Sequence, residues 1–218
     1  MLSSTPSSQP TSRFPPDLRL GDFRSVLRDI PDSSVDLILT DPPYDSDSVP
    51  LYGDLAELGS RVLRPGGFLL AYAGKHALNS IMALMDKHLE YRWMLSIVLH
   101  GSYVRLFPVG ILGGWRPVLV YQRPPFTTPS RMRCDVLDSR HKEKALHDWQ
   151  QSSENIGEMV EWLTSPGDLV VDPFLGAGTV ANVAYHLGRR FIGCDINPDT
   201  LDIARDRVLG TELMSEVW

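Results

Sequence analysis

Apolar residues along this chain follow two rhythms. Compact runs at Val35-Asp36-Leu37-Ile38-Leu39, Phe68 to Tyr72, Asp168 to Val171 and Phe191 to Cys194 have the length of buried strands, and Asp17 to Leu20 is a shorter candidate. Between them apolar positions recur at helical spacing. Phe23, Val26, Leu27 and Ile30 do so up to Pro31, followed by Leu51 to Leu63, Ala77 to Lys87, Ser153 to Thr164, a stretch ending at Leu187, and a last one from Pro198. Tyr91 to Leu99 and Pro117 to Gln122 flank a Gly-rich loop and are close enough to pair antiparallel. Arg123 to His147 shows no period, and Pro124, Pro125 and Pro129 break any strand there. Strands alternating with helices predict an α/β layer around a mostly parallel sheet of seven strands, one of them antiparallel.

Composition narrows the class. A chain of 218 residues, 43% apolar and 22% charged, can bury one core and matches an ordinary globular domain. No apolar run approaches the roughly 20 residues that span a bilayer. Residues 1–16, rich in Ser, Thr and Pro and lacking an apolar segment, read as a disordered tail before a domain at 17–218. Cys134 and Cys194 form neither a disulfide framework nor a zinc site, which points to a cytoplasmic protein.

The formal net charge of −6 is unevenly spread. From His100 to His147 the basic residues Arg105, Arg116, Arg123, Arg131, Arg133, Arg140, Lys142 and Lys144 oppose only Asp135, Asp138 and Glu143. This segment therefore carries +5 and the remainder −11. A positive stripe on an acidic body suits a phosphate backbone, making residues 100–147 a candidate nucleic-acid-contacting insertion. The plainer reading is a solvated arginine-rich loop.

Two short motifs carry chemistry. In Asp172-Pro173-Phe174-Leu175-Gly176-Ala177-Gly178-Thr179 a strand empties into a helix through two glycines, which allow close backbone approach and positive φ. The helix N-terminus beyond offers free N–H groups. Asp195, seventeen residues past Gly178 at the end of the next strand, can accept both hydroxyls of an adenosine ribose. Together these features describe a nucleoside cofactor site. The loose G-x-G-x-x-G/A dinucleotide pattern fits the same glycines, but the 40 residues after Gly178 are too few for the rest of a nicotinamide domain.

The second motif, Asp41-Pro42-Pro43-Tyr44, follows a strand directly, where ligands collect in open α/β sheets. Two prolines fix the backbone. An exocyclic amine on a nucleobase is a poor nucleophile because its lone pair is delocalised into the ring. Hydrogen bonds from its two N–H groups to Asp41 and the Pro42 carbonyl would draw the nitrogen towards a tetrahedral form. Tyr44 supplies a flat face for an extruded base. No metal is required.

On these residues the chain resembles the β-class DNA amino-methyltransferases, over about Asp17 to Leu209. Leu18-Arg19-Leu20-Gly21-Asp22 is similar to the family's opening strand. Asp41-Pro42-Pro43-Tyr44 matches its catalytic motif, Asp172 to Thr179 its cofactor motif, and Gly188 to Ile196 the stretch ending in the ribose acid. The order, catalytic motif first, is the permuted arrangement of that class.

The resemblance implies a Rossmann-like S-adenosylmethionine-dependent methyltransferase fold with Asp17 to Leu20 beside Phe191 to Cys194, and Asp168 to Val171 beside Val35 to Leu39. It implies S-adenosylmethionine as cofactor, with Phe174, Gly176 and Gly178 lining its methionine and adenosine parts, Asp195 on the ribose and Asp22 on the adenine. Asp172, Pro173, Ala177 and Thr179 belong to the same motif. Gln150 lies where relatives have a segment near the methionine carboxylate, although this chain lacks the Lys and Pro that usually follow.

Double-stranded DNA is the implied substrate. Asp at the head of the tetrad favours adenine N6 over cytosine N4. An RNA adenine methyltransferase or a silent binding subunit of the same fold remains open. The short irregular stretch available for target recognition implies either undemanding recognition or help from a second copy or partner.

Overall fold

A computed structural model describes residues 14–100, 103–106, 109–138 and 153–215. In chain order its elements are β1 (Asp17–Leu20), α1 (Phe23–Val26), β2 (Val35–Thr40), α2 (Leu51–Val62), β3 (Leu63–Tyr72), α3 (Leu78–Met85), β4 (Glu90–Val98) and the hairpin strands β5 (Val104–Leu106) and β6 (Ile111–Gly113). Then follow β7 (Trp115–Gln122), β8 (Val136–Asp138), α4 (Ser153–Leu163), β9 (Leu169–Asp172), α5 (Thr179–His186), β10 (Arg190–Asp195) and α6 (Pro198–Ser215).

The main sheet has the order β1-β10-β9-β2-β3-β7-β4-β8. Only β7 runs against its neighbours, antiparallel to both β3 and β4. All seven expected strands are present, with the single reversal. The count is corrected to eight by β8, which pairs parallel with β4 from Ser96↔Val136 to Val98↔Asp138. It lies in the stretch read as irregular. Three residues carry too little alternation for periodicity to detect, and the breaking prolines all precede it. Helix α1 is a single turn instead of a helix reaching Ile30. Phe23, Leu27 and Ile30 are nevertheless all buried, so the spacing reported the inward face and not the helix length.

Alternate residues of the central strands feed two apolar layers. Leu37, Leu39, Leu70, Val118, Val120 and Val170 meet α4, α5 and α6 through Ile156, Met159, Val160, Val180, Ala184, Leu201 and Val208. Ile38, Leu69, Ala71, Leu119, Tyr121 and Val171 meet α1, α2 and α3 through Phe23, Tyr52, Leu55, Ile81 and Met85. Strands covered on both faces become continuous apolar runs, and every residue of β2 is buried. Its two polar residues are Asp36 and Thr40; Asp36 accepts from Leu169 N at 2.8 Å and pairs with Arg64, joining β2, β3 and β9 at their amino ends.

Strands β2 and β9 lie side by side through Leu37↔Val170 and Ile38↔Val171. From there the chain moves outward in opposite directions, β9 towards β10 and β2 towards β3. The carboxyl ends of β2 and β9 thus flank the switch-point crevice of an open α/β sheet.

Candidate active site

Both motifs open at that crevice. Thr40, the last residue of β2, donates its hydroxyl to Asp172 Oδ1 at 2.6 Å, a buried bond spanning 132 positions. Asp172 Oδ1 also accepts from Phe174 N at 3.1 Å. The tetrad and the glycine motif are therefore fastened together by the last residues of the two strands that lead into them.

Within the tetrad Pro42 is buried, Pro43 is exposed, and Asp41 and Tyr44 are half-buried. The Tyr44 hydroxyl donates to Asp41 Oδ1. Burial, then the charge of Asp41 and this bond, push the Tyr44 pKa far above that of a free phenol, so the hydroxyl stays a donor. Behind the tetrad, Tyr52 donates to the Tyr72 carbonyl at 2.9 Å. Burial and the nearby Asp41 raise both of these phenols as well.

The two glycines of the turn do different work. Gly178 has φ +75°, and a Cβ there would stand 2.8 Å from Ala204 Cβ, so its smallness serves the packing of α5 on α6. Gly176 has φ +51°, and a Cβ would meet nothing nearer than the Phe174 carbonyl at 3.9 Å. Its open face is the one available to a ligand. Gly176 N donates to Asp195 Oδ2 at 2.9 Å, and Asn197 N donates to Asp195 Oδ1 at 2.8 Å. These bonds hold a half-buried carboxylate at the crevice with acceptor capacity left over.

The remaining candidates divide. The Phe174 ring packs on Phe23 with centroids 5.1 Å apart. The Ala177 carbonyl and the Thr179 hydroxyl accept from Arg207 Nη1 at 3.1 and 2.9 Å, which ties them to α6. The Pro173 carbonyl accepts from Cys194 Sγ at 3.4 Å. Asp22 reaches the site edge, because Gly21 N donates to the Asp195 carbonyl at 2.8 Å. Its carboxylate, however, caps α1 through Arg24 N at 2.8 Å and binds the Arg24 guanidinium. That guanidinium holds the Asp22 carboxyl below the usual range. Gln150 lies outside the described residues, as do Arg140, Lys142 and Lys144.

Negative charge gathers at this crevice. Burial raises the Asp172 carboxyl to about 7 against the bonds from Thr40 and Phe174, and Asp41 and Asp195 push it the same way. Burial also carries the Cys194 thiol up to about 12. It is therefore a packed apolar group and not a nucleophile.

The basic segment is not one surface. Arg123 turns into the body at the opposite sheet edge, donating to Ser33 Oγ at 2.7 Å and to the Leu63 carbonyl. Arg133 pairs with Glu158 of α4, and the Arg131 carbonyl accepts from Trp162 Nε1 at 3.0 Å. Arg116 alone among the described arginines of the segment stands beside the tetrad, where its charge acts on Tyr44 and Tyr72. Sequence reading passed over Thr40, Tyr72 and this role of Arg116. The signal for Arg116 was present: if β7 runs antiparallel, its first residues lie at the edge where parallel strands end.

A family model described as DNA methylase, of the N6 and N4 type, matches residues 122–206. The type II methyltransferase M.BglII of Bacillus subtilis is 27% identical over 238 residues, covering 84% of this chain and 66% of the relative. The chain thus spans about two thirds of that relative's length. Among solved structures, TTHA0409 from Thermus thermophilus, complexed with S-adenosyl-L-methionine, superposes with TM-score 0.74 at 22% identity, covering 89% of this chain and 93% of that one. The PvuII DNA methyltransferase, cytosine-N4-specific, superposes with TM-score 0.76 at 16% identity, covering 90% and 86%. Those two likenesses concern the fold; the family match and the M.BglII relationship concern the sequence, whose motifs meet at the switch-point crevice. Together these matches support a DNA amino-methyltransferase, the kind of protein to which this chain is similar in sequence and in fold.

Proposed function

We propose that this protein transfers a methyl group from S-adenosylmethionine to an exocyclic amine of double-stranded DNA, at adenine N6. The observation that carries the reading is the Thr40–Asp172 bond, which joins the strand ahead of an acceptor tetrad to the strand ahead of an open glycine turn.

The residues present fit the cofactor. Gly176 leaves its face open, and Asp195 offers anchored carboxylate oxygens for a ribose. Asp41 and Asp195 bring carboxylates to the crevice that a sulfonium cation would offset; the Asp172 carboxyl is raised chiefly by burial and only secondarily by these two charges. When bound, S-adenosylmethionine supplies an electrophilic methyl on positively charged sulfur. Phe174 would wall the adenosine, and Gln150 would approach the methionine carboxylate. Asp22 has a reduced part in this scheme, because Arg24 already occupies its carboxylate.

On the substrate side, Asp41 and the Pro42 carbonyl accept the two N–H bonds of the amine and localise its lone pair for in-line attack. The Tyr44 hydroxyl pins Asp41 for that task. Its ring offers a stacking face to a base lifted out of the duplex. Asp at the head of the tetrad supports adenine. Recognition of the target sequence falls to residues around 100–147, aided by a second copy or a partner.

Duplex DNA treated with the protein and S-adenosylmethionine, then digested to nucleosides and analysed by mass spectrometry, should contain N6-methyladenine. N4-methylcytosine would reassign the base. Methylation confined to RNA, or none at all, would overturn the reading.

A further inference from the structure

Arg116 occupies a place that the methyl-transfer scheme leaves without a task. It is the second residue of β7, at the crevice edge, opposite Ile97 of β4 and one residue before Pro117, whose carbonyl accepts from Ala73 N at 3.2 Å. It shares strand parity with Val118 and Val120, which face the same apolar layer as Tyr72 and Tyr44. The other half-buried or buried arginines among the described residues, Arg19, Arg61, Arg123, Arg189 and Arg207, each donate to at least one carbonyl. Arg116 is half-buried, and its guanidinium makes no hydrogen bond or ion pair among the described residues. Partial desolvation of a guanidinium without a partner is unfavourable and is relieved by an anion from outside.

Strand order says which anion. From the glycine turn the sheet runs β9, β2, β3, β7, so the tetrad at the end of β2 lies between the cofactor side and Arg116. At about 4.8 Å per strand, Arg116 begins ~10 Å beyond β2 and ~14 Å from β9. It therefore flanks the substrate and not the cofactor. A base drawn into the tetrad leaves its sugar and phosphates at the rim. A planar guanidinium is well matched to phosphate oxygens.

We propose that Arg116 is a positioning residue that binds a backbone phosphate flanking the extruded nucleotide. The inference rests on the methyltransferase reading above.

The test uses the full chain and a synthetic duplex carrying the target sequence mapped by sequencing methylated DNA. Uncharged methylphosphonates replace, one at a time, the phosphates on either side of the target nucleotide. For the wild type, one replacement should raise KM for DNA about ten- to a hundred-fold. Arg116→Gln should show a similar rise on unmodified duplex, with kcat within about three-fold and S-adenosylmethionine affinity unchanged by calorimetry. The two losses should not multiply, because they remove the same contact. Arg116→Lys should recover most of the loss, and Arg116→Gln should flatten the salt dependence of DNA binding by about one phosphate.

Losses that multiply, an unchanged KM in Arg116→Gln, or weakened cofactor binding in that variant would each overturn the assignment while leaving the methyltransferase reading intact. A wild type that methylates no DNA would remove both.

Discussion

The bond between the Tyr44 hydroxyl and Asp41 gives the tetrad two separable functions. Asp41→Ala removes an acceptor needed in the transition state and no atom of the glycine turn. Turnover should fall about 10²- to 10³-fold or more, with cofactor affinity within a few-fold, read by single-turnover transfer of labelled methyl and by calorimetry. Tyr44→Phe keeps the ring but removes the Tyr44 bond to Asp41, so kcat should drop roughly ten-fold at unchanged DNA affinity, the scale of one hydrogen bond to a charged group. Tyr44→Ala should additionally weaken capture of the base by about 1 to 3 kcal/mol. Equal rates for wild type and Asp41→Ala would reduce the tetrad to a turn. Asp172 makes a different forecast. Its folded-state carboxyl stands near 7 against an ordinary 3.8, so between these values the folded state holds the proton more tightly. Stability from this group is therefore fully present below about pH 4, falls as pH rises to about 7, and stays constant above. Asp172→Asn keeps an acceptor for Thr40 and Phe174 N but cannot ionise. Its stability relative to wild type, from urea midpoints at pH 5 and pH 8, should increase with pH; parallel curves would contradict the raised carboxyl.

Among the elements, the strands that end at the crevice are held at their far ends by polar clasps. Arg123, just past β7, donates to Ser33 Oγ and to the Leu63 carbonyl, and its backbone exchanges bonds with Gly66 and Gly67 at 2.9 and 3.0 Å. Arg123→Ala should destabilise the protein by about 1 to 3 kcal/mol, through carbonyls left without a partner, and should leave DNA affinity unchanged. Arg131→Ala, at an exposed side chain, should stay within about 0.5 kcal/mol in stability. Urea denaturation and a binding titration on both variants check this. A large loss of DNA affinity in Arg123→Ala would mean that the far sheet edge also meets the duplex. Charge counting along the chain treats these arginines alike, and only the course of β7 separates them. The strand's first residues reach the crevice, and the chain has crossed the sheet by Arg123.

For the whole molecule, the cluster of acids at the crevice predicts a preference among nucleosides. S-adenosylmethionine, with its cationic sulfur, should raise the melting temperature, whereas NAD, with its anionic pyrophosphate, should not. A shift with NAD alone would contradict the cofactor assignment. The architecture behind this forecast was largely legible along the chain. Seven strands, their alternation with helices and the two motifs follow from local causes. A strand buried on both faces must be a continuous apolar run, and a turn that meets a ligand needs Gly or Pro at fixed offsets. Segments without such a signature were not legible. The three residues of β8 and the one-turn α1 are set by neighbours that supply pairing and burial. Side-chain commitments were hidden for the same reason. Asp22 is engaged by Arg24, Thr179 by Arg207 and Tyr44 by Asp41, while the Arg116 guanidinium makes no hydrogen bond or ion pair among the described residues. Local sequence thus determined which residues form the strands and which carry the chemistry. Tertiary structure alone decided which polar groups already have a partner, because hydrogen bonding depends on distances between segments that lie up to 132 positions apart in the chain.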